Sequence, residues 1–260
     1  MNPVAGLAIG IIGDRRRGSD AQDAIGPALD HAAGLLGISV STDWVGTCDL
    51  RDGDPTALLA GYEGLWCAPG GRFVSMAGAL AGIEAARRTG RAFLGTCAGF
   101  QHGVLEFARN VCGLEAAEHA EYGRPDGALL VVDALDCSLV GQALTVDVVD
   151  AETRRLYGAA SVTERYYCRF GLDETYLPSL EAGGLVVAGR DARDGTARIL
   201  RLASRVFYYL TLFVPQTSSM PDRPHPLVSE FVRAARSRAA EGPGLVTSPS
   251  RGRPRFRPGP

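Results

Sequence analysis

One cysteine in this sequence stands among small residues at the end of an apolar run, in the stretch Phe93-Leu94-Gly95-Thr96-Cys97-Ala98-Gly99-Phe100-Gln101. An apolar strand that runs through small residues into a helix is the layout of a nucleophile elbow. Such a tight turn needs small neighbours and exposes the nucleophile at the end of a sheet. The N-terminal N–H groups of the helix point toward the sulfur, favour thiolate and can hold an oxyanion, the N–H of Ala98 among them. The same pattern also fits an ordinary buried cysteine in a βα turn. A second stretch, Trp66-Cys67-Ala68-Pro69-Gly70-Gly71-Arg72-Phe73, likewise follows a short apolar run. Adjacent glycines let backbone N–H groups come close to a substrate, although Pro-Gly-Gly also makes a plain turn.

These residues need elements to position them. Leu7–Ile12, Ile38–Trp44, Gly64–Cys67 and Ala92–Gly95 read as short strands. Helical spacing fills Ala21–Leu36, Met76–Thr89 and Phe100–Val111. Strands alternating with helices imply a doubly wound parallel sheet, and ligands bind such sheets at the C-terminal ends of the strands. The second half is richer in strands: Ala128–Val132, Leu144–Val149, Leu185–Ala188, Ile199–Leu202 and Tyr208–Phe213, before a helix at Pro226–Ala240. With few helices between them, these strands are expected to add antiparallel to the sheet. The fold class is therefore α/β, mostly parallel, with antiparallel additions in the second half.

Composition narrows the function. The chain has 260 residues, 46% of them hydrophobic, enough for one large α/β core. A formal net charge of -2 argues against general nucleic-acid binding. The basic residues are all arginine. The six cysteines make no CxxC pair or zinc spacing, so no metal or cofactor is expected. No apolar run is long enough to span a bilayer and the N-terminus has no basic leader, so the expected location is the cytoplasm, with no membrane partner. From Glu241 the chain turns to Gly, Pro, Ser and Arg, a composition that cannot form a core.

Taken together, the cysteine elbow and the Pro-Gly-Gly turn resemble the class I glutamine amidotransferases, and more closely the glutaminase half of CTP synthase. Leu94–Gln101 is similar to that family's Leu-Gly-Ile-Cys-Leu-Gly-Met-Gln. Leu105–Val111, Glu118–Tyr122, Arg154–Tyr157, Glu164-Arg165 and Arg223–Leu227 with Phe231 extend the likeness over residues 7 to 238. The resemblance implies a flavodoxin-like sheet in one domain over residues 1–240, while composition alone predicts a disordered tail over 241–260. It implies Cys97 as nucleophile and Gly71 and Ala98 as oxyanion donors, with Gly70 and Arg72 beside them. Gln101, Glu121 and Arg169 would bind a small glutamine-like or other amide substrate. A separate synthetase is the implied protein partner.

One departure alters the expected chemistry. Where the family has Phe-His-Pro-Glu, this chain reads Phe213-Val214-Pro215-Gln216, so valine stands for the histidine base and glutamine for its glutamate. Valine cannot accept a proton. Candidate substitutes are His119, two residues from Glu121 and so on one face of an extended segment, then Glu164 near the substrate rim, then His102. His225 is expected at the surface. The family layout also brings Cys168 near Cys97, where a second thiol could form a redox pair. Three functions fit: a cysteine-dependent enzyme on an amide or activated carbonyl with a non-standard base, an ammonia-supplying glutaminase, or a non-catalytic binding module.

Overall fold

The computed structural model describes residues 6–241. In chain order the strands are β1 (Gly6–Ile12), β2 (Ser39–Val45), β3 (Gly64–Cys67), β4 (Ala92–Thr96), β5 (Ala117–His119), β6 (Leu129–Ala134), β7 (Ala143–Val148), β8 (Ser161–Arg165), β9 (Phe170–Leu172), β10 (Leu185–Asp191), β11 (Ala197–Leu202) and β12 (Tyr208–Thr211). The helices are α1 (Asp20–Asp23), α2 (Ile25–Leu36), α3 (Thr47–Asp52), α4 (Pro55–Leu58), α5 (Met76–Thr89), α6 (Ala98–Asn110), α7 (Ala151–Tyr157), α8 (Leu177–Ala182) and α9 (Pro226–Glu241).

Nine strands form one sheet in the order β2-β1-β3-β4-β12-β11-β10-β7-β8. The first five are mutually parallel, in the doubly wound order of a flavodoxin-like fold. The last four pair antiparallel with their neighbours. The expected fold class holds, with one correction: β12, expected among the antiparallel additions, runs parallel to β4 and completes the parallel half. Its side chains are buried throughout, as befits an inner parallel strand covered on both faces.

A separate small sheet, β5-β6-β9, packs over α6. The sequence reading did not separate this sheet from the main one. It explains why every residue of α6 from Ala98 to Ala108 is buried. The helix lies between two sheets, so its polar residues Gln101, His102 and Glu106 must find partners inside the protein. Glu106 takes a bidentate bond from Arg87 on α5, with Nη2 to Oε1 at 2.6 Å. The expected helix over Ala21–Leu36 is divided at Ala24 into α1 and α2. The tail expected at 241–260 lies outside the described residues, apart from Glu241 at the end of α9.

Candidate active site

The site is built on the C-terminal ends of β3 and β4. Cys97 follows β4 and adopts φ 52 and ψ -104, the one non-glycine residue with positive φ among the described residues. Such a conformation costs about 1–3 kcal/mol and persists only where surrounding contacts impose it. Here the Cys97 N–H donates to the Thr211 carbonyl at 2.9 Å, tying the elbow to β12. Its own carbonyl accepts from the Gln101 N–H at 3.1 Å, starting α6. The two glycines of the elbow are required by close approach. A Cβ on Gly99 would stand 2.2 Å from the Cys67 carbonyl oxygen, and one on Gly95 would stand 2.7 Å from the Gly99 carbonyl oxygen.

Cys97 opens into a cavity of about 200 Å³ lined by Gly71, Gln101, Glu121, Tyr167, Cys168, Arg169 and Phe170. Outside it lies a wider vestibule bordered by Arg16, Arg17, Ser19, Gly70 and Tyr167. Ala98 begins α6, so its N–H has no partner within the helix and can serve an oxyanion at the sulfur. Gly71 holds φ 71 on the opposite wall. A larger groove of about 690 Å³, lined in part by Glu84, Arg88, Arg91 and Arg238, lies at the N-terminal side of the strands, where open α/β sheets do not bind ligands.

A chain of hydrogen bonds holds the lining in place. The His119 Nδ1 accepts from the Glu121 N–H at 3.1 Å, which leaves Nε2–H to donate to Gln101 Oε1, also at 3.1 Å. Gln101 Nε2 donates to the Phe170 carbonyl at 2.8 Å. His102 donates from Nδ1 to the Ala98 carbonyl at 2.8 Å, so its Nε2 accepts from the Tyr122 hydroxyl at 2.9 Å. That hydroxyl in turn accepts from the Phe73 N–H at 2.7 Å, which anchors the Pro-Gly-Gly loop. Burial lowers the pKa of His102 to about 4 and that of His119 to about 3, the latter helped by the neighbouring His102 ring. Burial raises the Glu121 carboxyl, against the opposing charges of Arg16, Arg72 and Arg169. One of its oxygens is buried and has no hydrogen-bond partner.

No protein-family model matches the chain. Over 264 residues it is 32% identical to CTP synthase of Rubrobacter xylanophilus, an alignment that covers 95% of this chain and 46% of that protein. The chain is a homologue of the CTP synthases. It spans less than half the length of these relatives. Its fold is that of their glutaminase domain: the Trypanosoma brucei CTP synthase glutaminase domain, solved with bound acivicin, superposes with a TM-score of 0.80 at 23% identity, over 89% of this chain and 94% of that one. A glutamine amidotransferase from Methylobacillus flagellatus superposes with a TM-score of 0.52 at 12% identity, over 96% of this chain.

In this CTP synthase homologue, the expected site residues are only partly brought together. Cys97, Gly71, Gln101, Glu121 and Arg169 line one cavity, with Gly70 in the vestibule. The expectation that His119 looks into the pocket is not met. It is fully buried behind Gln101, with both ring nitrogens engaged. Glu164 is not at the rim either. It is buried, accepts from the Tyr157 hydroxyl at 3.1 Å and meets His225 Nε2 at 2.9 Å. His225 is thus an interior residue rather than a surface one. Arg72 lies over the Tyr122 ring and its carbonyl accepts from Arg16 Nη2 at 2.6 Å. Val214 is buried, and Gln216 turns away to donate to the Ala21 carbonyl at 2.8 Å. Neither the cavity nor its vestibule is lined by a histidine.

Sequence reasoning missed Arg16, Tyr122 and Gln22. Gln22 Nε2 donates to the Pro69 carbonyl at 2.8 Å while its Oε1 accepts from the Arg16 N–H at 2.7 Å, joining the two loops of the vestibule. The signal available for Arg16 was its position just after β1, at the same sheet edge as Cys97. Among the described residues, no helix is long and apolar enough to cross a membrane and no cluster of His, Cys, Asp and Glu could hold a metal.

Proposed function

We propose that this chain is a cysteine-dependent, amidotransferase-like enzyme in which Cys97 attacks the carbonyl of a glutamine-like amide or a more activated acyl group, without the family's histidine and glutamate. The observation that carries this reading is the strained backbone of Cys97, held at φ 52 over a cavity shaped by Gly71, Gln101, Glu121 and Arg169. A buried cysteine with no function gives no reason to bear that cost.

In the first step the Cys97 sulfur forms a bond to the carbonyl carbon and the carbonyl π pair moves to oxygen, where the N–H groups of Ala98 and Gly71 hold it. Collapse breaks the bond to the leaving group, and water then cleaves the thioester. The Arg169 guanidinium matches a substrate carboxylate, and Glu121 matches an ammonium. With Val214 and Gln216 in place of the triad partners, no imidazole protonates the leaving amine. General acid–base help is typically worth about 10²–10⁴-fold. A substrate whose leaving group needs no proton escapes that loss, which favours a thioester or similar acyl donor over glutamine.

A second reading rests on the same histidine-free lining: a binding module for an amino-acid-like ligand, held by Gln101, Glu121 and Arg169 with Cys97 idle. Delivery of ammonia to a separate synthetase fits the chain's kinship with part of CTP synthase, but asks for fast glutamine hydrolysis.

Intact-mass labelling with a diazo-oxo-norleucine probe, on wild type and Cys97→Ser, separates these readings. Stoichiometric labelling of wild type alone supports an activated thiol in a glutamine-shaped site. Reaction only with a small generic alkylator moves the substrate away from glutamine. A Cys97 inert to both leaves the binding module.

A further inference from the structure

The acyl chemistry leaves one group in the cavity unused. Cys168 Sγ lies 2.8 Å from Cys97 Sγ, and both are free thiols. Cys97 sits on the β4–α6 elbow and Cys168 on the connection from β8 to β9, 71 residues away, so only the tertiary fold brings the sulfurs together. We propose that Cys97 and Cys168 form a reversible dithiol–disulfide site, closed by a small hydroperoxide and reopened by a dithiol reductant. The site shares Cys97 with the reading above but does not depend on glutamine recognition.

Access divides the roles. Cys97 lines both the vestibule and the inner cavity, whereas Cys168 lines only the inner one and is 2% exposed. An oxidant entering from solvent meets Cys97 first. The Cys168 thiol also donates to the Leu212 carbonyl at 2.9 Å, which fixes it behind the nucleophile. Burial, with the Cys97 sulfur beside it, keeps Cys168 well above the usual thiol range, so it retains its proton until a partner forms. The second thiol, and no imidazole, is therefore the group poised against the Cys97 sulfur.

The chemistry balances in two steps. The Cys97 thiolate attacks one oxygen of the hydroperoxide; an S–O bond forms, the O–O bond breaks, and the alkoxide takes a proton to leave as alcohol. Cys97 is then a sulfenic acid. The Cys168 sulfur attacks it; an S–S bond forms, and the departing hydroxide leaves as water with the Cys168 proton. The sulfur pair is oxidised by two electrons and the hydroperoxide is reduced. Two thiols of a dithiol reductant restore the pair by exchange. While the disulfide is closed, Cys97 cannot attack a carbonyl.

The test treats the reduced full chain with one equivalent of hydrogen peroxide and maps its peptides without reduction. The proposal expects wild type to lose two hydrogens, to join the Cys97 and Cys168 peptides, and to recover both thiols with dithiothreitol. Cys168→Ser and Cys168→Ala should instead accumulate a dimedone-reactive sulfenic acid at Cys97, and Cys97→Ser should leave Cys168 untouched. Wild type that oxidises to sulfinic acid as readily as Cys168→Ser, or that forms no Cys97–Cys168 peptide, overturns the proposal. Diazo-oxo-norleucine labelling of the reduced samples scores the acyl reading separately. A cross-link without labelling leaves the redox site standing, and labelling without a cross-link removes it alone.

Discussion

His119 stands 3.1 Å from Gln101 and, through its other ring nitrogen, 3.1 Å from the Glu121 N–H, so one buried imidazole fixes two residues of the Cys97 cavity. It acts through those neighbours and is a positioning residue. His119→Ala should slow labelling of Cys97 by a glutamine-like probe about tenfold or more through weaker probe binding, since each lost neutral hydrogen bond is worth about 0.5–1.5 kcal/mol. A generic alkylator should still react with Cys97 at the wild-type rate. Equal slowing of both reagents would indicate general damage to the fold.

The same burial makes stability depend on pH. The folded values of His102 and His119 lie at about 4 and about 3, below the ordinary value of 6.5. The unfolded chain therefore binds protons that the folded one refuses. Stability is full above about pH 6.5 and falls as pH drops toward the folded values. At pH 5 each histidine should cost about 2 kcal/mol relative to pH 8. Urea midpoints at the two pH values measure the loss, and His119→Gln should remove about half of it.

Gly99 is where the elbow touches its neighbouring strand. Because a Cβ there would lie 2.2 Å from the Cys67 carbonyl oxygen, Gly99→Ala must push β3 and α6 apart. Overpacking costs about 1–3 kcal/mol, occasionally more. A reduced urea midpoint together with lost Cys97 labelling is expected, and an unchanged midpoint would contradict the close approach.

Glu106 is fully buried and paired with Arg87, whose side chain is 13% exposed. Arg87→Ala removes the cation and leaves the buried carboxylate with Asn110 Nδ2, at 3.1 Å, as its remaining donor. The expected loss is about 3–5 kcal/mol, as for other broken buried pairs. Glu106→Gln, which keeps the shape and one acceptor, should cost less. Chemical denaturation of both variants checks the order.

Placing a histidine and a glutamate at positions 214 and 216 tests the proposed acyl chemistry from the opposite side. Val214→His with Gln216→Glu should raise glutamine hydrolysis by an order of magnitude or more, against the roughly 10²–10⁴-fold that acid–base help supplies. The rise should vanish when Cys97→Ser is added. No rise would mean that something other than the absent imidazole limits glutamine turnover.

Local pattern was enough to place β1, β3, α5 and the start of α9, because strand and helix periods and the Gly and Pro stops act over a few residues. It was enough, too, for the elbow: small residues around Cys97 mark a turn that admits nothing larger. The parallel core and its antiparallel extension followed from the order of those elements, but the separate β5-β6-β9 sheet did not. Its strands β5 and β9 have only three residues each, and β9 joins β6 across two intervening strands of the main sheet. Burial of α6 on both sides is a property of that packing, and it turned His119 and His102 from candidate bases into neutral supports. Glu164 and His225 met in the interior through a separate long-range contact, with 61 residues between them. The contact between Cys97 and Cys168 is likewise a product of tertiary structure. Residue types declare which groups can ionise or attack, but only the folded chain sets their distance, their access to water and so their reactivity.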